Sequence, residues 1–342
     1  MLEFRYNFID GACVEYNCPH NYGPIVTVDF IDFDTKDILY RTDLTPNTWA
    51  RTSIKKFINW GLVGSVDGKV VFNHIFSLSG KRVIMVFPHN TLKEFLFWLP
   101  AVEKFRRIKK CNMIVSCSQA SFINVVNKSY PDIWFTTDYN SVMNECVYAL
   151  YRPYLDDIEN FLNIENTLPL VVDSDLIHSP IDVDYVCIAE HGNGFPWKSW
   201  CNPDGYPTVA KFLNDKGYRV VPVSLEPTNL NGIEGVIDMT GKNLRESIRI
   251  IKHSKLFIGG DSALTWIANI LNIPTIMICT CGLPGKDKNI HYVYNHKDGS
   301  CYGCLSQSLM DKCDKPLNPM PECVMNITPE MVIDKIKHVL TV

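Results

Sequence analysis

The sequence predicts an α/β protein that contains two parallel sheets. From Gly80 onward, apolar runs of strand length alternate with segments whose apolar residues recur at helical spacing, and this alternation is typical of parallel sheets covered by helices. The clearest unit runs from Leu256 to Ile278, where an apolar run, a glycine pair and a helical stripe precede a second apolar run. The alternation occurs on both sides of a proline-containing connection, so we expect two sheets with a ligand cleft between them.

Composition narrows the classes of protein that the chain can represent. With 342 residues, of which 46% are hydrophobic and 20% charged, it is long enough for two domains and an extension. The net charge of −4 and the lack of any Lys/Arg run longer than two residues argue against nucleic acid as a partner. The N-terminus has no basic segment leading into an apolar one, and no apolar run approaches the ~18 residues of a membrane span. We therefore expect a cytoplasmic protein without a membrane span.

Residues 1–78 predict a small β-rich module. Val26, Val28 and Phe30 alternate on one face of a strand, and turn residues such as Asp67-Gly68 separate the strand-like runs. Aromatic residues are frequent in this module. Core packing explains them more simply than a docking surface does.

Residues 79–155 predict the first parallel sheet. An apolar strand from Arg82 to Phe87 leads directly into a helical stripe that begins at Leu92 and is predicted to end at Pro100, with a second segment after it. Ligands of open α/β sheets bind at the carboxyl ends of the strands, which places Glu94 at the mouth of this domain as a candidate base. A glutamate in the first turn of a helix also compensates the helix dipole, and this simpler interpretation stays open.

Residues 156–183 are predicted to connect this domain to a second one, residues 184–342, whose predicted strands include Val236–Met239. Lys198 follows a strand of the second domain and is a candidate to neutralise a phosphate. Glu226 follows the next strand and is a candidate to accept hydrogen bonds from ribose hydroxyls. Each signal is weak by itself, since solvated lysines and glutamates are common.

The turn after Gly259-Gly260 predicts an anion site. Asp261 and Ser262 are N-cap residue types, and the backbone N–H groups at the start of a helix have no partner within it. We therefore expect the N–H groups of Ser262, Ala263 and Leu264 to be open to an anion such as a diphosphate. Any parallel sheet contains turns of this kind, so the turn alone does not establish a site.

The C-terminal region predicts a metal finger over residues 301–323. Four cysteines there have the spacing C-x2-C-x8-C-x9-C: Cys301, Cys304, Cys313 and Cys323. Four thiolates complete a tetrahedral coordination sphere and leave no open position, so the metal would be structural, and zinc and iron both fit. The alternative is four free thiols. The total of 13 cysteines is odd and no export signal is present, which favours reduced thiols over a disulfide framework.

Several of these segments together resemble glycosyltransferase family 9, the ADP-heptose heptosyltransferases, over about residues 80–340. The segments are GGDSALTWIANILNIPTIMI, RVIMVFPHNTLKEFLFWLP, the WKSW and SLEP turns, and the C-terminal CYGC…C…C…ITPEMVIDKI run. Within that family, the N-terminal RYNFIDGACVEY, Trp266 and the cysteine finger are similar to the bacterial autotransporter heptosyltransferases. The resemblance implies a GT-B fold, in which two Rossmann-like domains face a cleft, with a β-rich N-terminal module and the cysteine finger added.

The resemblance also implies a function. The autotransporter heptosyltransferases transfer heptose from ADP-heptose onto serine hydroxyls of autotransporter adhesins and assemble into large iron-containing oligomers. We therefore expect the same transfer here, with inversion, and a homo-oligomer. Glu94 stands where the family has a catalytic Asp, Lys198 where it has a phosphate-binding Lys, and Glu226 where it has a ribose-contacting acid. The residues that match its diphosphate-binding turn are Asp261, Ser262, Ala263, Leu264 and Thr265.

Two departures from the family pattern keep other functions open. The family's Gly-Asp before the first helix is Lys93-Glu94 here, and the glycine expected after Ser262 is Ala263. Lys93 adds bulk and charge where backbone approaches substrate. The alternatives are a transferase that uses another nucleotide-sugar, for example in lipopolysaccharide synthesis, and a catalytically silent GT-B subunit or scaffold.

Overall fold

The computed structural model describes residues 2–9, 11–19, 22–54, 56–87, 92–151, 158–165, 170–171, 173, 176, 178–191, 199–280, 289–294 and 325–341. The chain divides into two compact units, Met1–Asn90 with Phe97–Val171, and Thr91–Leu96 with Val172–Val342. Within the described residues, the first unit holds two antiparallel sheets and a parallel sheet, and the second holds a parallel sheet. No helix in these ranges is both long and apolar enough to cross a membrane.

Among the described residues, the two antiparallel sheets of the first unit are formed by seven strands before residue 76. They are β1 (Glu3–Asn7), β2 (Cys13–Asn17), β3 (Val26–Asp32), β4 (Ile38–Leu44), β5 (Thr48–Arg51), β6 (Trp60–Val66) and β7 (Lys69–Ile75). One sheet has the order β1-β2-β5 and the other β4-β3-β6-β7. The alternation predicted for β3 is confirmed, because Val26, Val28 and Phe30 are fully buried.

Aromatic rings of residues 4–8, on and just after β1, stack on rings of residues 72–76, on and just after β7. The ring centroids are 4.9 Å apart for Phe4 and Phe72, 3.8 Å for Tyr6 and His74, and 3.9 Å for Phe8 and Phe76. Alternate residues of a strand point to one face, so these rings form a ladder between the sheets. The predicted packing role holds for this ladder, whereas Trp49 on β5 is 62% exposed.

The parallel sheet of the first unit has the order β10-β9-β8-β11. Its strands are β8 (Arg82–Phe87), β9 (Asn112–Cys117), β10 (Ile133–Thr136) and β11 (Tyr148–Tyr151), and its helices are α1 (Leu92–Lys109), α2 (Ala120–Ile123), α3 (Asn140–Met143) and α4 (Ile158–Leu162). All neighbouring strands are parallel. Since β9 and β11 lie on opposite sides of β8, the strand order reverses beside β8.

Helix α1 differs from the prediction, which ended a helix at Pro100 and began a second segment after it. The helix runs through Pro100 without interruption. Proline removes one backbone hydrogen bond from a helix interior. Here a continuous apolar face offsets that loss, because Leu96, Leu99, Val102 and Phe105 are all buried along it.

The second unit contains the parallel sheet β13-β12-β14-β15-β16. Its strands are β12 (Tyr185–Ala189), β13 (Arg219–Pro222), β14 (Leu256–Gly259), β15 (Thr275–Ile278) and β16 (Ile290–Val293), and its helices are α5 (Gly205–Asp215), α6 (Leu244–Lys252), α7 (Ala263–Ile270) and α8 (Pro329–Leu340). The unit predicted from Leu256 to Ile278 is confirmed as β14, α7 and β15. The strand predicted at Val236–Met239 is wrong, because Val236 forms only an isolated bridge to Val220.

Candidate functional site

The strand order of the second unit creates an edge of the kind at which open α/β sheets bind ligands. Ala189 at the end of β12 pairs with Gly259 at the end of β14, so the two segments that follow leave the sheet side by side. β13 lies on the other side of β12, so the order reverses between β12 and β14, which is where open α/β sheets bind ligands. A Cβ atom added to Gly259 would lie 3.2 Å from the Ala189 carbonyl oxygen and from the Thr265 hydroxyl oxygen. Glycine therefore permits this close approach.

The turn into α7 is held by its own side chains. Ser262 is the N-cap, and its hydroxyl oxygen accepts a hydrogen bond from the Thr265 N–H at 3.4 Å. The Thr265 hydroxyl donates to the Gly260 carbonyl at 2.5 Å. The N–H and hydroxyl groups of Thr265 are therefore used within the turn, where they brace the helix start, and the predicted part of Thr265 in diphosphate binding stays a prediction.

The two N–H groups at the start of α7 remain open. Ala263 and Leu264 are the first residues of the helix, and their N–H groups form no hydrogen bond within the part of the chain that the structure describes. They lie at the positive end of the helix dipole, where an anion is stabilised. Both residues are half-buried, so the helix start is accessible from the edge of the sheet.

Asp261 lies immediately before this helix start. One of its carboxyl oxygens accepts a hydrogen bond from Trp266 Nε1 at 2.8 Å. The Trp266 ring packs on a small buried cluster formed by Met277, Cys279 and Ile290. The carboxyl group of Asp261 is therefore a fixed acceptor at the mouth of the turn.

Glu226 lies in the bend that follows β13, and 68% of its side chain is exposed. Its Oε2 atom is 3.6 Å from Nδ1 of His191, which follows β12. The opposite ring nitrogen of His191, Nε2, lies 3.4 Å from the Pro227 carbonyl oxygen. Glu226 and His191 thus meet at the same edge of the sheet as the start of α7.

Glu190 is a buried acid at this edge that the sequence analysis did not single out. It is 7% exposed, and its carboxyl oxygens accept hydrogen bonds from the Thr228 hydroxyl and, at 3.2 Å, from the Asn229 N–H. Burial raises the pKa of Tyr206, and the nearby Glu190 contributes to that rise. The signal available in the sequence was an acid placed directly after the wholly apolar strand YVCIA.

Glu94 occupies the first turn of α1, after the carboxyl end of β8, and is half-buried. Both predicted roles of Glu94, as a general base and as compensation for the helix dipole, require a carboxyl group at this position. The position therefore does not distinguish between the two roles. The catalytic role of Glu94 stays a prediction.

The remaining predicted site residues lie outside the described residues. They are Lys198 and the finger cysteines Cys301, Cys304, Cys313 and Cys323. Within the described ranges, no group of three or more His, Cys, Asp or Glu side chains is arranged to hold a metal ion. The eight cysteines in those ranges form no disulfide. The predicted metal site therefore depends on the finger.

Several known proteins are similar to this chain in sequence or in structure. No protein-family model matches the chain. The autotransporter heptosyltransferase TibC of Escherichia coli O78:H11 is 27% identical over 312 residues, covering 83% of this chain and 76% of TibC. The crystal structure of TibC, described as an iron-containing dodecameric glycosyltransferase, superimposes with a TM-score of 0.80 at 25% identity over 99% of this chain and 96% of that one. The chain is therefore similar to the autotransporter heptosyltransferases in both sequence and fold.

Two further relatives extend this relationship. The autotransporter heptosyltransferase BAHTCr of Citrobacter rodentium is 27% identical over 83% of this chain and 75% of its own length. The inactive autotransporter heptosyltransferase BimC of Burkholderia thailandensis is 25% identical over 83% of this chain and 73% of its own. The predicted resemblance and the predicted glycosyltransferase class are confirmed by these relationships.

The fold of this chain is also similar to that of a family 9 heptosyltransferase of known structure. The structure of E. coli ADP-heptose LPS heptosyltransferase II has a TM-score of 0.54 at 13% identity, covering 76% of this chain and 98% of that one. An identity this low supports the fold alone. The prediction of an α/β fold with parallel sheets, similar to family 9 structures, is confirmed. The cleft, the separate N-terminal module and the metal finger stay predictions.

Proposed function

We propose that this protein transfers heptose from ADP-heptose onto a serine hydroxyl of an autotransporter-type protein, with inversion. The observation that carries the proposal is the similarity to TibC along nearly the whole chain, because TibC has also been crystallised in complex with ADP-D-β-D-heptose. The edge between β12 and β14 supports it independently, since an open helix start at a reversal of strand order suits a diphosphate.

On the donor side, the α7 turn receives the diphosphate. The N–H groups of Ala263 and Leu264 donate to its oxygens, and Lys198 neutralises part of its charge. Donors that are already oriented stabilise the negative charge that develops as ADP leaves. Glu226 accepts hydrogen bonds from ribose hydroxyls, and the fixed carboxyl group of Asp261 is an acceptor for a hydroxyl of the sugar.

On the acceptor side, Glu94 acts as the general base. The serine oxygen attacks the anomeric carbon from the face opposite the diphosphate, the bond from that carbon to the phosphate oxygen breaks, and the serine proton passes to the Glu94 carboxylate. A single displacement of this kind inverts the anomeric configuration. No metal ion takes part in the step.

The cysteine finger is proposed to hold a structural iron, with zinc as the alternative. Four thiolates fit either metal, and TibC is described as iron-containing and dodecameric. We expect about one metal ion per chain by elemental analysis of protein purified without chelator. Cys304→Ser should lower metal content and solubility, whereas Cys18→Ser, directly after β2, should not. A metal-free wild-type protein would show that the finger holds no metal.

A second function has a specific observation in its favour. Lys93-Glu94 departs from the family's Gly-Asp, and one of the relatives, BimC, is described as inactive. A catalytically silent homologue would keep the fold and the nucleotide edge but serve as a subunit or scaffold.

Coexpression with a candidate autotransporter separates the two functions. The enzyme should add the mass of one heptose to acceptor serines, detected by mass spectrometry, and should slowly hydrolyse ADP-heptose when no acceptor is present. A silent subunit would bind ADP without releasing sugar from any donor. If neither transfer nor hydrolysis is found with ADP-heptose but another nucleotide-sugar is consumed, the donor assignment is wrong and the transferase class stands.

A further inference from the structure

We propose that Glu190 is a positioning residue that, with His191, holds the loop of residues 226–229 so that Glu226 is presented to the ribose of the nucleotide. The inference rests on the proposed function, since it concerns how that function's donor is recognised. It adds a residue pair to the site that neither the sequence motifs nor the resemblance assigned.

Among the described residues, the hydrogen bonds of the Glu190 side chain all reach one loop. Both carboxyl oxygens accept from the Asn229 N–H, at 3.3 and 3.2 Å, and one of them also accepts from the Thr228 hydroxyl. The Thr228 oxygen in turn accepts from the Leu230 N–H at 3.0 Å. Glu190 therefore ties the end of β12 to the segment that follows β13.

The burial of Glu190 argues for a purpose beyond stability. A carboxyl group loses hydration when it is buried, and neutral hydrogen-bond donors restore only part of that loss. Within the described residues, the hydrogen-bond partners of Glu190 are a hydroxyl and a backbone N–H, not a cation. A neutral side chain would meet the needs of the fold at lower cost. The acid is explained if two strong acceptors are needed to order the loop.

His191 holds the other part of the same loop. Its Nε2 atom lies 3.4 Å from the Pro227 carbonyl oxygen, and its Nδ1 atom lies 3.6 Å from Oε2 of Glu226. The Glu226 side chain is otherwise largely exposed, so it would lose conformational entropy on binding a ribose. Two consecutive residues at the end of β12 thus hold the loop backbone and place the Glu226 carboxyl group, which lowers that entropy cost.

The position of Glu190 separates its effect from the anion site. β12 lies between β13 and β14, and the carboxyl group of Glu190 bonds to the loop on the β13 side. The start of α7 lies on the β14 side. Loosening the loop should therefore weaken recognition of the ribose and leave recognition of a bare diphosphate unchanged.

The test compares the affinities of ADP and inorganic diphosphate by isothermal titration calorimetry. In Glu190→Gln, an amide N–H₂ replaces one acceptor, so at least one loop hydrogen bond is lost. We expect the Kd for ADP to rise about 10-fold, as in Glu226→Ala, and the Kd for diphosphate to change less than about twofold. The double variant should bind ADP no more weakly than Glu226→Ala, because both changes remove one interaction.

A matched control distinguishes positioning from stability. Asp173 is a fully buried acid of the same unit, paired with Arg245 at 3.0 Å and not placed in the site. Asp173→Asn should lower the melting temperature and keep the wild-type ratio of ADP to diphosphate affinity. A second pair of variants covers the case in which Glu190→Gln does not fold: Thr228→Val should lose ADP preference, and Thr228→Ser, which keeps the hydroxyl, should retain it.

Several results would overturn the inference. If Glu190→Gln or Thr228→Val keeps the wild-type ratio of ADP to diphosphate affinity, the loop is merely structural and the proposed function is unaffected. If the double variant loses the sum of both single effects, Glu190 acts independently of Glu226. If wild-type protein binds ADP no better than diphosphate, both the inference and the nucleotide part of the proposed function are wrong.

Discussion

The two parallel sheets both reverse their strand order beside their first strand, but the segments that follow their strands differ. Each has a central strand with neighbours on both sides, β8 in the first unit and β12 in the second. In the first sheet, the described residues that directly follow β9 and β10 are exposed, among them Ser118, Gln119 and Asp138. In the second, the corresponding edge gathers buried polar residues that include Glu190, Thr228, Ser262, Thr265 and Thr280.

We interpret this difference as a division of function between the two sheets. Buried polar groups cost free energy unless they are hydrogen-bonded, so we expect an edge that gathers them to recognise a ligand. The first sheet offers instead a half-buried carboxyl group, Glu94, on the helix that follows β8. We expect changes at the second edge to alter nucleotide affinity and a change at Glu94 to alter turnover.

The largest effect is expected at Glu94. Glu94→Gln keeps the size of the side chain but removes its basicity, so transfer should fall by roughly 10² to 10⁴ with ADP affinity unchanged. Turnover assays and calorimetry measure the two quantities separately. Glu330→Gln, which alters a first-turn glutamate of α8, is the control and should cost under ~1 kcal/mol of stability without affecting turnover. If Glu94→Gln transfers heptose at the wild-type rate, Glu94 is not the general base and only compensates the helix dipole.

The next largest effect is expected at Lys198, the positive charge proposed to contact the diphosphate. Lys198→Ala should weaken binding of both ADP and inorganic diphosphate by roughly 10- to 100-fold, since it removes a charge-assisted hydrogen bond. Lys255→Ala is the control, because Lys255 lies just before β14, at the opposite end of the sheet. Unchanged diphosphate affinity in Lys198→Ala would remove this residue from the site.

A smaller and more selective effect is expected at Glu226. Glu226→Ala should weaken ADP binding by about 10-fold and leave diphosphate binding unchanged, because only ADP carries a ribose. The exposed Glu234 lies in the same long connection, and Glu234→Ala should bind both ligands normally. A parallel loss of both ligands in Glu226→Ala would mean that the loop, not the ribose contact, had been disturbed.

The smallest effect is expected at the N-cap of α7. Ser262→Ala should cost about 1 kcal/mol of unfolding free energy and also weaken ADP binding, since the turn that orients the open N–H groups loses its brace. Thr328, the N-cap of α8, accepts a hydrogen bond from the Met331 N–H at the same 3.4 Å. Thr328→Ala should show a similar loss of stability in denaturant melts with normal ADP binding. Equal ADP affinities in the two variants would show that the start of α7 does not contribute to nucleotide binding.

The elements predicted well were those with strong local signals. The segment from Leu256 to Ile278 combines apolar runs, a glycine pair and an N-cap residue, and each of these acts within a few neighbouring residues. The errors have the opposite character. Pro100 ends a helix by local rules, but the buried face of α1 continues past it. The apolar run at Val236–Met239 has the composition of a strand but forms only one bridge.

The sequence by itself determined most of the strands and helices and the polar residues that follow the strands, because hydrophobic period and capping are properties of short segments. It also carried the resemblance that led to the family. Only the tertiary structure decided which of those polar residues meet. Strand order places the end of β12 between the ends of β13 and β14, and this brings Glu190 to Thr228, 38 residues along the chain. Such contacts depend on pairing between distant strands, for which no local pattern provides a signal.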